Sequence, residues 1–543
     1  MKYDVVVVGG GVAGLTAASY CVRENLSVLL CEKHASLGGN VNSFERGGFV
    51  FDQGIRSIEN SGIIFPMLKQ LGIEMEFIKS SVTLGVADQM IKVDRPESLD
   101  EYAELLGRQF PDNVQDIAQI KEEIRKIMGY MHILYGIDNP LFLDSFKDMK
   151  YLTRTLLPWL VKYKLSMPKV AKLKQPVEEH LKKFTNNQAL IDIIAQHFFK
   201  ETPTFFALSY FSLYLDYNYP KGGTRAIPKA MESYFTGQGG TVVLNSTIVS
   251  VDVAANTVTD QRENTYTYRQ LIWAADLKTL YRQIDPAKVP DEGLQKTLEA
   301  KRSHMEQHQG GDSIFSLYLA IDLPVSYFSE IASAHLFYTP LKTGLSHIDG
   351  SALAKVLEKG PGSTTEKDKT VIKEWLSAYY AYTTYEISCP AMRDASLAPE
   401  GKTALLVSTL LDYSLTKHIK DSGWYEEFKR FSEEAILAVL CSSLYPKMEG
   451  RILQQFSSTP LTLERITGNS EGAITGWAFT KRPLPVEHEM DTMIRSVETS
   501  IPNVSQAGQW VFSPSGLPIS VLTGKLASDR AIKALKKKKK KRK

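Results

Sequence analysis

The feature that most constrains this sequence is a glycine-rich turn directly after a short β-branched run near the N-terminus. Residues 4–8 read DVVVV, which is typical of a buried parallel strand, and the following VAGLTAASYCVRE is typical of a helix. Between them, Gly9, Gly11 and Gly14 fit the spacing G-x-G-x-x-G. The first glycine makes the turn, the second admits a pyrophosphate to the backbone, and the third lets helix and strand pack closely. The pattern predicts a dinucleotide-binding unit.

An acidic residue at the end of the second predicted strand supports the same interpretation. The run LSVLLCE ends at Glu32, 18 residues after Gly14. A carboxylate at this distance can accept hydrogen bonds from both hydroxyls of the adenosine ribose, and it would repel a 2′-phosphate. The expected ligand is therefore a dinucleotide without that phosphate.

The residues after Glu32 carry a resemblance to a known superfamily. Residues 32–54, EKHASLGGNVNSFERGGFVFDQG, contain a glycine pair and then the pattern S-F-E-x-x-G-F-x-F-D-x-G. In this respect the chain resembles the FAD-binding amine-oxidase and phytoene-desaturase superfamily. The matching residues are Gly38, Gly39, Asn40, Ser43, Phe51, Asp52 and Gly54. Members often carry Arg directly after the glycine pair, where this chain has Asn40.

Later segments resemble the same superfamily in the expected order, so that the matches span residues 1–532. Residues 219–223 (YPKGG), the strand-like run around Ile248 and the run YRQLIWAAD with Ala275 resemble further FAD-contacting segments. Residues 460–477, PLTLERITGNSEGAITGW, resemble the branch of carotenoid desaturases, carotenoid isomerases and retinol saturases. In the closing segment 507–532, Gly508 would meet the flavin, and Gln509 replaces the usual acid.

The resemblance implies FAD as the cofactor and a defined set of binding residues. The implied cofactor-binding residues are Gly9, Gly11, Val12, Ala13, Gly14, Glu32, Lys33, Gly38, Gly39, Asn40, Ser43, Gly54, Ile55, Arg56, Ile248, Ala275, Gly508, Gln509, Leu517 and Pro518. No metal site is expected.

Catalytic residues are harder to name from the sequence. The loop after Gly54 should pass near the flavin ring, which makes Arg56, Glu59 and Asn60 candidates, although a salt-bridged structural loop is an equal alternative. Arg465 is a further candidate, either for stabilising developing charge or for holding the 460–477 segment in place.

The cofactor-like segments alternate with stretches of different character. We expect an α/β fold in which a Rossmann-like FAD-binding domain (1–84, 216–284 and 451–535) is interleaved with an α+β substrate-binding domain (85–215 and 285–450). Helix-period patterns dominate the first substrate segment, whereas the second mixes β-like runs with a helix. Within it, residues 360–370, GPGSTTEKDKT, are predicted to form a polar loop.

Charge and cysteine content limit the partners and the compartment. The net charge of +3 conceals eight positive charges in the tail 536–543 (KKKKKKRK); without them the body carries 56 basic and 61 acidic residues, or −5. Overall basicity therefore gives no reason to expect a nucleic-acid partner. Four cysteines in 543 residues form no disulfide framework and favour a reducing, cytoplasmic location.

One segment and the tail predict contact with a membrane surface. Residues 151–173 interleave Leu and Trp with basic residues, which is the pattern of an amphipathic helix on an anionic bilayer, and the basic tail could add to the attraction. The alternatives are a core-packed helix with a solvated basic face and a solubilising tail. Residues 5–22 form an uncharged run of 18, but their glycine spacing argues against a membrane span, and no other stretch comes close to about 20 apolar residues.

Together these features predict an FAD-dependent oxidoreductase that acts on C–C double bonds of a hydrophobic polyene or isoprenoid lipid, by desaturation, saturation or cis–trans isomerisation. Because only one dinucleotide fingerprint is present, electrons are expected to pass to or from an external partner. An amine oxidase or enone reductase on the same scaffold, and a non-catalytic flavin-binding membrane protein, remain alternatives. The oligomeric state is open.

Overall fold

The structure is a computed structural model that describes residues 1–143, 149–479, 490–513 and 515–542. The strands are β1 (Lys2–Val8), β2 (Val28–Cys31), β3 (Ser43–Arg46), β4 (Phe49–Asp52), β5 (Ile58–Glu59), β6 (Phe77–Lys79), β7 (Val82–Val86), β8 (Gln89–Val93), β9 (Tyr217–Pro220), β10 (Thr241–Val243), β11 (Ile248–Asp252), β12 (Thr257–Asp260), β13 (Thr265–Trp273), β14 (Ser313–Ile321), β15 (His335–Thr339), β16 (Tyr385–Ser388), β17 (Thr403–Leu411), β18 (Ile452–Ser458) and β19 (Val504–Gln506).

The α-helices are α1 (Val12–Arg23), α2 (Ile64–Leu71), α3 (Ser98–Gln109), α4 (Val114–Tyr135), α5 (Met149–Tyr151), α6 (Leu157–Val170), α7 (Val177–Leu181), α8 (Gln188–Ala195), α9 (Thr204–Tyr214), α10 (Ala226–Gly237), α11 (Leu277–Gln283), α12 (Glu292–Glu306), α13 (Val325–Ser329), α14 (Ser351–Glu358), α15 (Glu366–Tyr382), α16 (Tyr413–Asp421), α17 (Tyr425–Ser443), α18 (Pro460–Thr467), α19 (Met490–Arg495) and α20 (Leu517–Arg542). A π-helical turn, Leu152–Leu156, joins α5 to α6.

The first sheet is the predicted Rossmann-like unit. Strands β10, β2, β1, β13 and β19 run parallel in that order, and β12 and β11 continue the sheet antiparallel beside the first part of β13. Val5 and Val7 of β1 pack under α1, α10 and α20, while Val6 and Val8 pack on the opposite face. Burial on both faces is the reason that this strand is continuously apolar.

The second sheet carries the other half of the architecture. Its order is β18-β14-β17-β16-β15-β7-β8, and neighbours are antiparallel except for β15 and β7. Phe315, Leu317 and Leu319 of β14 pack against helices including α15 and α17. Because side chains alternate along a strand, Ser316 and Tyr318 face the other way.

The α/β fold with an interleaved second unit is confirmed. The exact domain limits stay predictions. At two places, however, strands of the second sheet reach into segments that the sequence assigns to the FAD-binding domain. Strand β7 begins at residue 82, so the predicted limit at 84/85 lies within it, and residues 452–458, assigned to the FAD-binding domain, form the edge strand β18 of the second sheet.

The predicted polar loop at 360–370 is only partly a loop. Helix α15 begins at Glu366, because Thr365 caps it: the Thr365 hydroxyl accepts from the Asp368 N–H, and the Asp368 carboxylate accepts from the Thr365 N–H at 2.9 Å. This capping box stabilises a helix start within a run of polar residues that the sequence analysis interpreted as uniformly irregular.

The segment predicted to meet a membrane is helical from Met149 to Val170. Its outer face exposes apolar side chains: Met149 is 68% exposed, Leu157 56% and Leu165 69%. Among the described residues, no helix combines the length and the apolarity that a bilayer span requires.

Candidate active site

The glycine-rich turn and Glu32 form one hydrogen-bonded unit. Gly9 adopts φ +106°, a conformation that side chains disfavour, and so turns the chain between β1 and α1. The Gly10 N–H donates to Glu32 Oε2 at 2.7 Å, and the His34 N–H donates to Oε1 at 2.9 Å. Each carboxylate oxygen keeps a further lone pair, so Glu32 can fix the turn and still accept from a ribose hydroxyl.

Two glycines of the turn are required for opposite reasons. A Cβ on Gly14 would lie 1.9 Å from the Gly9 carbonyl oxygen, so Gly14 allows α1 to pack on the turn. A Cβ on Gly11 would meet nothing within 4 Å, because Gly11 faces the cavity. The open space beside the backbone of the α1 N-terminus fits the phosphates of a dinucleotide.

The glycine pair and the closing segment complete this end of the site. The Gly38 N–H donates to the Gly10 carbonyl at 2.9 Å, which brings the pair against the turn. The side-chain amide of Gln509 lies between two partners: its Oε1 accepts from Asn40 Nδ2 at 3.5 Å, and its Nε2 donates to the Ala473 carbonyl at 3.2 Å. The two residues that depart from the superfamily pattern, Asn40 and Gln509, therefore contact each other.

One cavity of about 1350 Å³ runs from this turn to the space between the two sheets. The predicted residues that line it are Gly9, Gly11, Val12, Ala13, Glu32, Lys33, Gly38, Gly39, Asn40, Gly54, Ile55, Arg56, Glu59, Ile248, Ala275, Arg465, Gly508, Gln509, Leu517 and Pro518. Segments separated by up to several hundred residues thus meet around one space.

Three predicted residues lie outside the lining. Gly14 supports the turn from below, as described. The hydroxyl of Ser43 accepts from the Arg225 N–H at 3.3 Å, two residues after the Lys-Gly-Gly turn, so its assignment to the cofactor stays a prediction. Asn60 accepts from the Phe65 N–H at 2.9 Å and holds the start of α2, which is a structural role.

Arg465 lies on α18 at the dinucleotide end of the cavity. Its carbonyl accepts from Lys33 Nζ at 3.4 Å, and the ring of His34 contacts the carbonyl of Ile466 next to it. Burial lowers the pKa of Lys33, and the nearby Arg465 contributes in the same direction. The segment after Glu32 and the 460–477 segment therefore meet in a basic cluster.

Arg56 leads to a polar network on the inner face of the second sheet. The Arg56 side chain is 2% exposed, and its Nη1 donates to Glu386 Oε2 at 2.7 Å. The ring of His335 places Nε2 at 3.0 Å from Glu386 Oε1, and its Nδ1 lies 3.0 Å from the Ser57 hydroxyl. These contacts fix the Glu386 carboxylate at the cavity wall.

Two further contacts hold Arg56 in place. Its Nη2 contacts the Ser408 hydroxyl, and its carbonyl accepts from Arg393 Nη1 at 2.8 Å. Burial alone would raise the pKa of Glu386, but the positive charge of Arg56 and the contact with His335 lower it to about 2. Burial lowers the pKa of His335, so its neutral ring lies between Glu386 and Ser57. Glu386 is an anion at every ordinary pH.

Glu59 lines the same cavity, but its pKa is raised, whereas that of Glu386 is lowered. On β5 it pairs with Tyr217 of β9, and it lines the cavity together with Tyr210. Burial raises the pKa of Glu59 to about 7, and the negative charges of Asp216 and Glu386 add to the shift. Near neutral pH, a large fraction of Glu59 therefore carries a proton.

The far part of the cavity is aromatic. Helix α6 contributes Trp159 and Tyr163, whose rings lie 5.0 Å apart, and α9 contributes Phe205, Phe206 and Tyr210. An apolar, elongated wall of this kind suits a long hydrocarbon ligand. Helix α6 thus lines the cavity with one face and exposes leucines to solvent with the other.

Sequence analysis missed Glu386 and His335, which belong to no local motif. One signal was available for Glu386. It lies between Tyr385 and Ile387, which both pack in the core under the helices. Because side chains alternate along a strand, a charged residue between two core residues must face the opposite side of the sheet.

Comparisons with known proteins agree with this architecture. A family model described as an NAD(P)-binding Rossmann-like domain matches residues 7–71. The chain is 23% identical over 497 residues to a chloroplastic prolycopene isomerase of Daucus carota, covering 87% of this chain and 71% of that protein. It is 22% identical over 544 residues to an all-trans-retinol 13,14-reductase of Danio rerio, covering 93% of this chain and 82% of that protein.

Among solved structures, a variant of putrescine oxidase superposes with a TM-score of 0.57 at 14% identity, covering 98% of this chain and 99% of that one. This similarity shows that the two chains share their fold.

Proposed function

We propose that the chain binds FAD and acts on C–C double bonds of a hydrophobic polyene or isoprenoid lipid, a proposal that its similarity to a prolycopene isomerase and an all-trans-retinol 13,14-reductase supports. The observation that carries the proposal is the continuous cavity, which joins the dinucleotide turn at one end to an aromatic-lined space at the other. A redox ligand and an apolar substrate would meet where these two parts join.

The residues at the dinucleotide end are those that would hold FAD. Gly11 and the N-terminus of α1 would accept its phosphates, Glu32 its ribose, and the segment around Gly508 the flavin part. Bound FAD supplies hydride transfer, and the protein supplies orientation and exclusion of water. An external electron donor or acceptor completes the redox cycle.

The chain's own residues would handle the substrate. The rings of α6 and α9 line an apolar path that excludes water from a polyene chain. The Arg56 network forms a rigid polar wall beside that path, because both oxygens of Glu386 have partners. Of the candidates, Arg56 is therefore a positioning residue, and Arg465, at the other end of the cavity, is better suited to contact the cofactor.

A second part of the proposal concerns delivery of the substrate. The exposed leucines of α6 and the basic residues around them would rest on an anionic bilayer, while Trp159 on the inner face borders the cavity. A lipid substrate could then pass from the bilayer to the cavity without crossing water.

An anaerobic experiment tests the proposed reaction. The purified protein, first oxidised and then chemically reduced, is mixed with all-trans-retinol or with prolycopene in micelles, while flavin absorbance and product mass are followed. A product two mass units heavier identifies saturation, two units lighter desaturation, and unchanged mass with altered retention isomerisation. Absence of bound flavin, or no conversion of either polyene, contradicts the proposal.

A further inference from the structure

The part of the cavity lined by Arg56, Glu59, His335 and Glu386 is called the reaction end. Two carboxyl groups lie there, one charged and one largely protonated near neutral pH, and nothing in the sequence pairs them. Glu59 lies on β5 and Glu386 on β16. Between them, the ring of Tyr217 lies 5.0 Å from the ring of His335, which contacts Glu386. Both carboxyl groups border the same cavity.

The two carboxyl groups also differ in their ion-pair partners. Glu386 has Arg56 and His335 at 2.7 and 3.0 Å. Within the described part of the chain, the Glu59 carboxyl group accepts only from its own backbone N–H, and no cation forms an ion pair with it. A carboxyl group without a cation in an aromatic cavity retains its proton, whereas one with a bound guanidinium loses it.

We propose that Glu59 is the group that gives a proton to the substrate and takes it back, and that the Glu386 carboxylate, held by Arg56 and His335, stabilises the positive charge that the protonated polyene carries. This assignment rests on the proposed function. Two carboxyl groups whose environments separate their proton affinities are the usual arrangement for an acid and a charge stabiliser.

Protons and electrons balance for both isomerisation and saturation. In an isomerisation, the proton of Glu59 adds to one polyene carbon, the resulting cation is delocalised, the adjacent bond rotates, and the proton returns to Glu59 with no net change in electrons. In a saturation, one carbon of the double bond would accept this proton, and the other would receive the hydride that bound, reduced FAD would supply. Glu59 then regains a proton from water, and the external donor restores the two electrons.

The other charged and titratable groups near Glu59 fit this assignment. They are Arg56 on the same loop, Tyr210 on α9, Asp216 and Tyr217 at the start of β9, Lys79 beside Asp216, His335 on β15 and Glu386 on β16. Burial raises the pKa of both tyrosines, so neither competes with Glu59 as an anion. The pH dependence of the reaction should therefore follow Glu59.

The first test is an infrared titration of the holoprotein without substrate. We expect a carboxyl C=O band that disappears as the pH rises through about 7 and that is absent from Glu59→Gln. Glu74→Gln, which removes an exposed carboxyl group, is the matched control and should leave the band unchanged. If Glu59→Gln retains the band, the proposal is overturned.

The charge of Glu386 is tested by the same band. Removing this anion should move the midpoint of the Glu59 titration to lower pH, which a purely structural role for Glu386 does not predict. Should Glu386→Gln fail to fold, the double variant Arg56→Met/Glu386→Gln, a change that buried ion pairs tolerate better than loss of one partner, is compared with Arg56→Met, so that the two proteins differ only in the charge of Glu386. An unchanged midpoint in the folded variant contradicts the role given to Glu386.

Turnover provides the second test, with prolycopene and all-trans-retinol as probes. The wild-type rate should fall about tenfold per pH unit above pH 7, and Glu59→Gln should lose about 10²–10⁴-fold in rate and also this pH dependence. If the wild type converts a polyene and Glu59→Gln is within about threefold of it, the assignment of Glu59 fails while the proposed function stands. If the wild type converts neither polyene, the proposed function itself fails.

Discussion

The two ends of the cavity are built by different means. At the dinucleotide end, backbone groups and small residues make the surface, and most of its contacts come from one stretch of about 50 residues. At the reaction end, charged and aromatic side chains make the surface, and Arg56, His335 and Glu386 come from three distant parts of the chain. At the dinucleotide end, most added side chains would block the space that the ligand needs. At the reaction end, binding and chemistry depend on the charge and protonation of particular side chains.

The largest effect is expected from a substitution that disrupts the glycine turn at the dinucleotide end. Gly14→Ala would place a methyl group 1.9 Å from the Gly9 carbonyl, which forces α1 away from the turn. We expect loss of bound flavin together with a destabilisation of about 4 kcal/mol or more, measured by flavin absorbance and thermal unfolding.

Two matched variants sharpen this prediction. Gly237→Ala, in a helix where a Cβ meets nothing within 4 Å, should have no such effect. Gly11→Leu should leave the unfolding temperature of the flavin-free protein unchanged and abolish flavin binding, since Gly11 has φ −69° and faces open space. Normal flavin content in Gly14→Ala would refute the role of this close contact.

The next effect concerns the ion pair at the reaction end. Arg56→Ala leaves the Glu386 carboxylate without its guanidinium partner and should destabilise the fold by about 3–5 kcal/mol in denaturant unfolding. Arg95→Ala is the control: its pair with Glu101 is 55% and 38% exposed, and its loss should cost less than about 1 kcal/mol. If both substitutions lower the free energy of unfolding equally, the buried pair contributes no more to stability than the exposed one.

Glu59 should make stability depend on pH. Its pKa is about 7 in the folded state and 4.5 ordinarily, so the unfolded chain ionises first as the pH rises. Stability is therefore lost between about pH 4.5 and 7, and by pH 8 the loss approaches about 3 kcal/mol. Glu59→Gln should remove this loss and be more stable than the wild type at pH 8 but not at pH 4. Parallel stability curves for the two proteins would contradict the pKa shift.

The smallest effect belongs to the outer face of α6. Leu165→Ser should weaken partition onto anionic vesicles by about 1 kcal/mol, or about fivefold, in a flotation assay. Val249→Ser, at another exposed apolar position 48% exposed, serves as the control and should leave partition unchanged. If wild type and Leu165→Ser partition equally onto the vesicles, the outer face of α6 does not contact the bilayer.

Local patterns predicted the dinucleotide end well. The strand, turn and helix around Gly9, Gly11 and Gly14 depend on residues within a few positions of each other, and the glycine spacing reports backbone geometry directly. In the polar run 360–370, the capping box of Thr365 and Asp368 is a local signal that starts helix α15 despite the general polarity of the segment.

The sequence by itself determined the Rossmann-like unit and the order of the segments that resemble cofactor-binding segments, because these follow from spacing along a few short stretches. Only the tertiary structure decided that Arg56 contacts Glu386, that no cation among the described residues forms an ion pair with Glu59, and that Ser43 and Asn60 lie outside the cavity lining. Charge states in a cavity depend on burial and on partners that are distant in sequence, and no single stretch of residues encodes either.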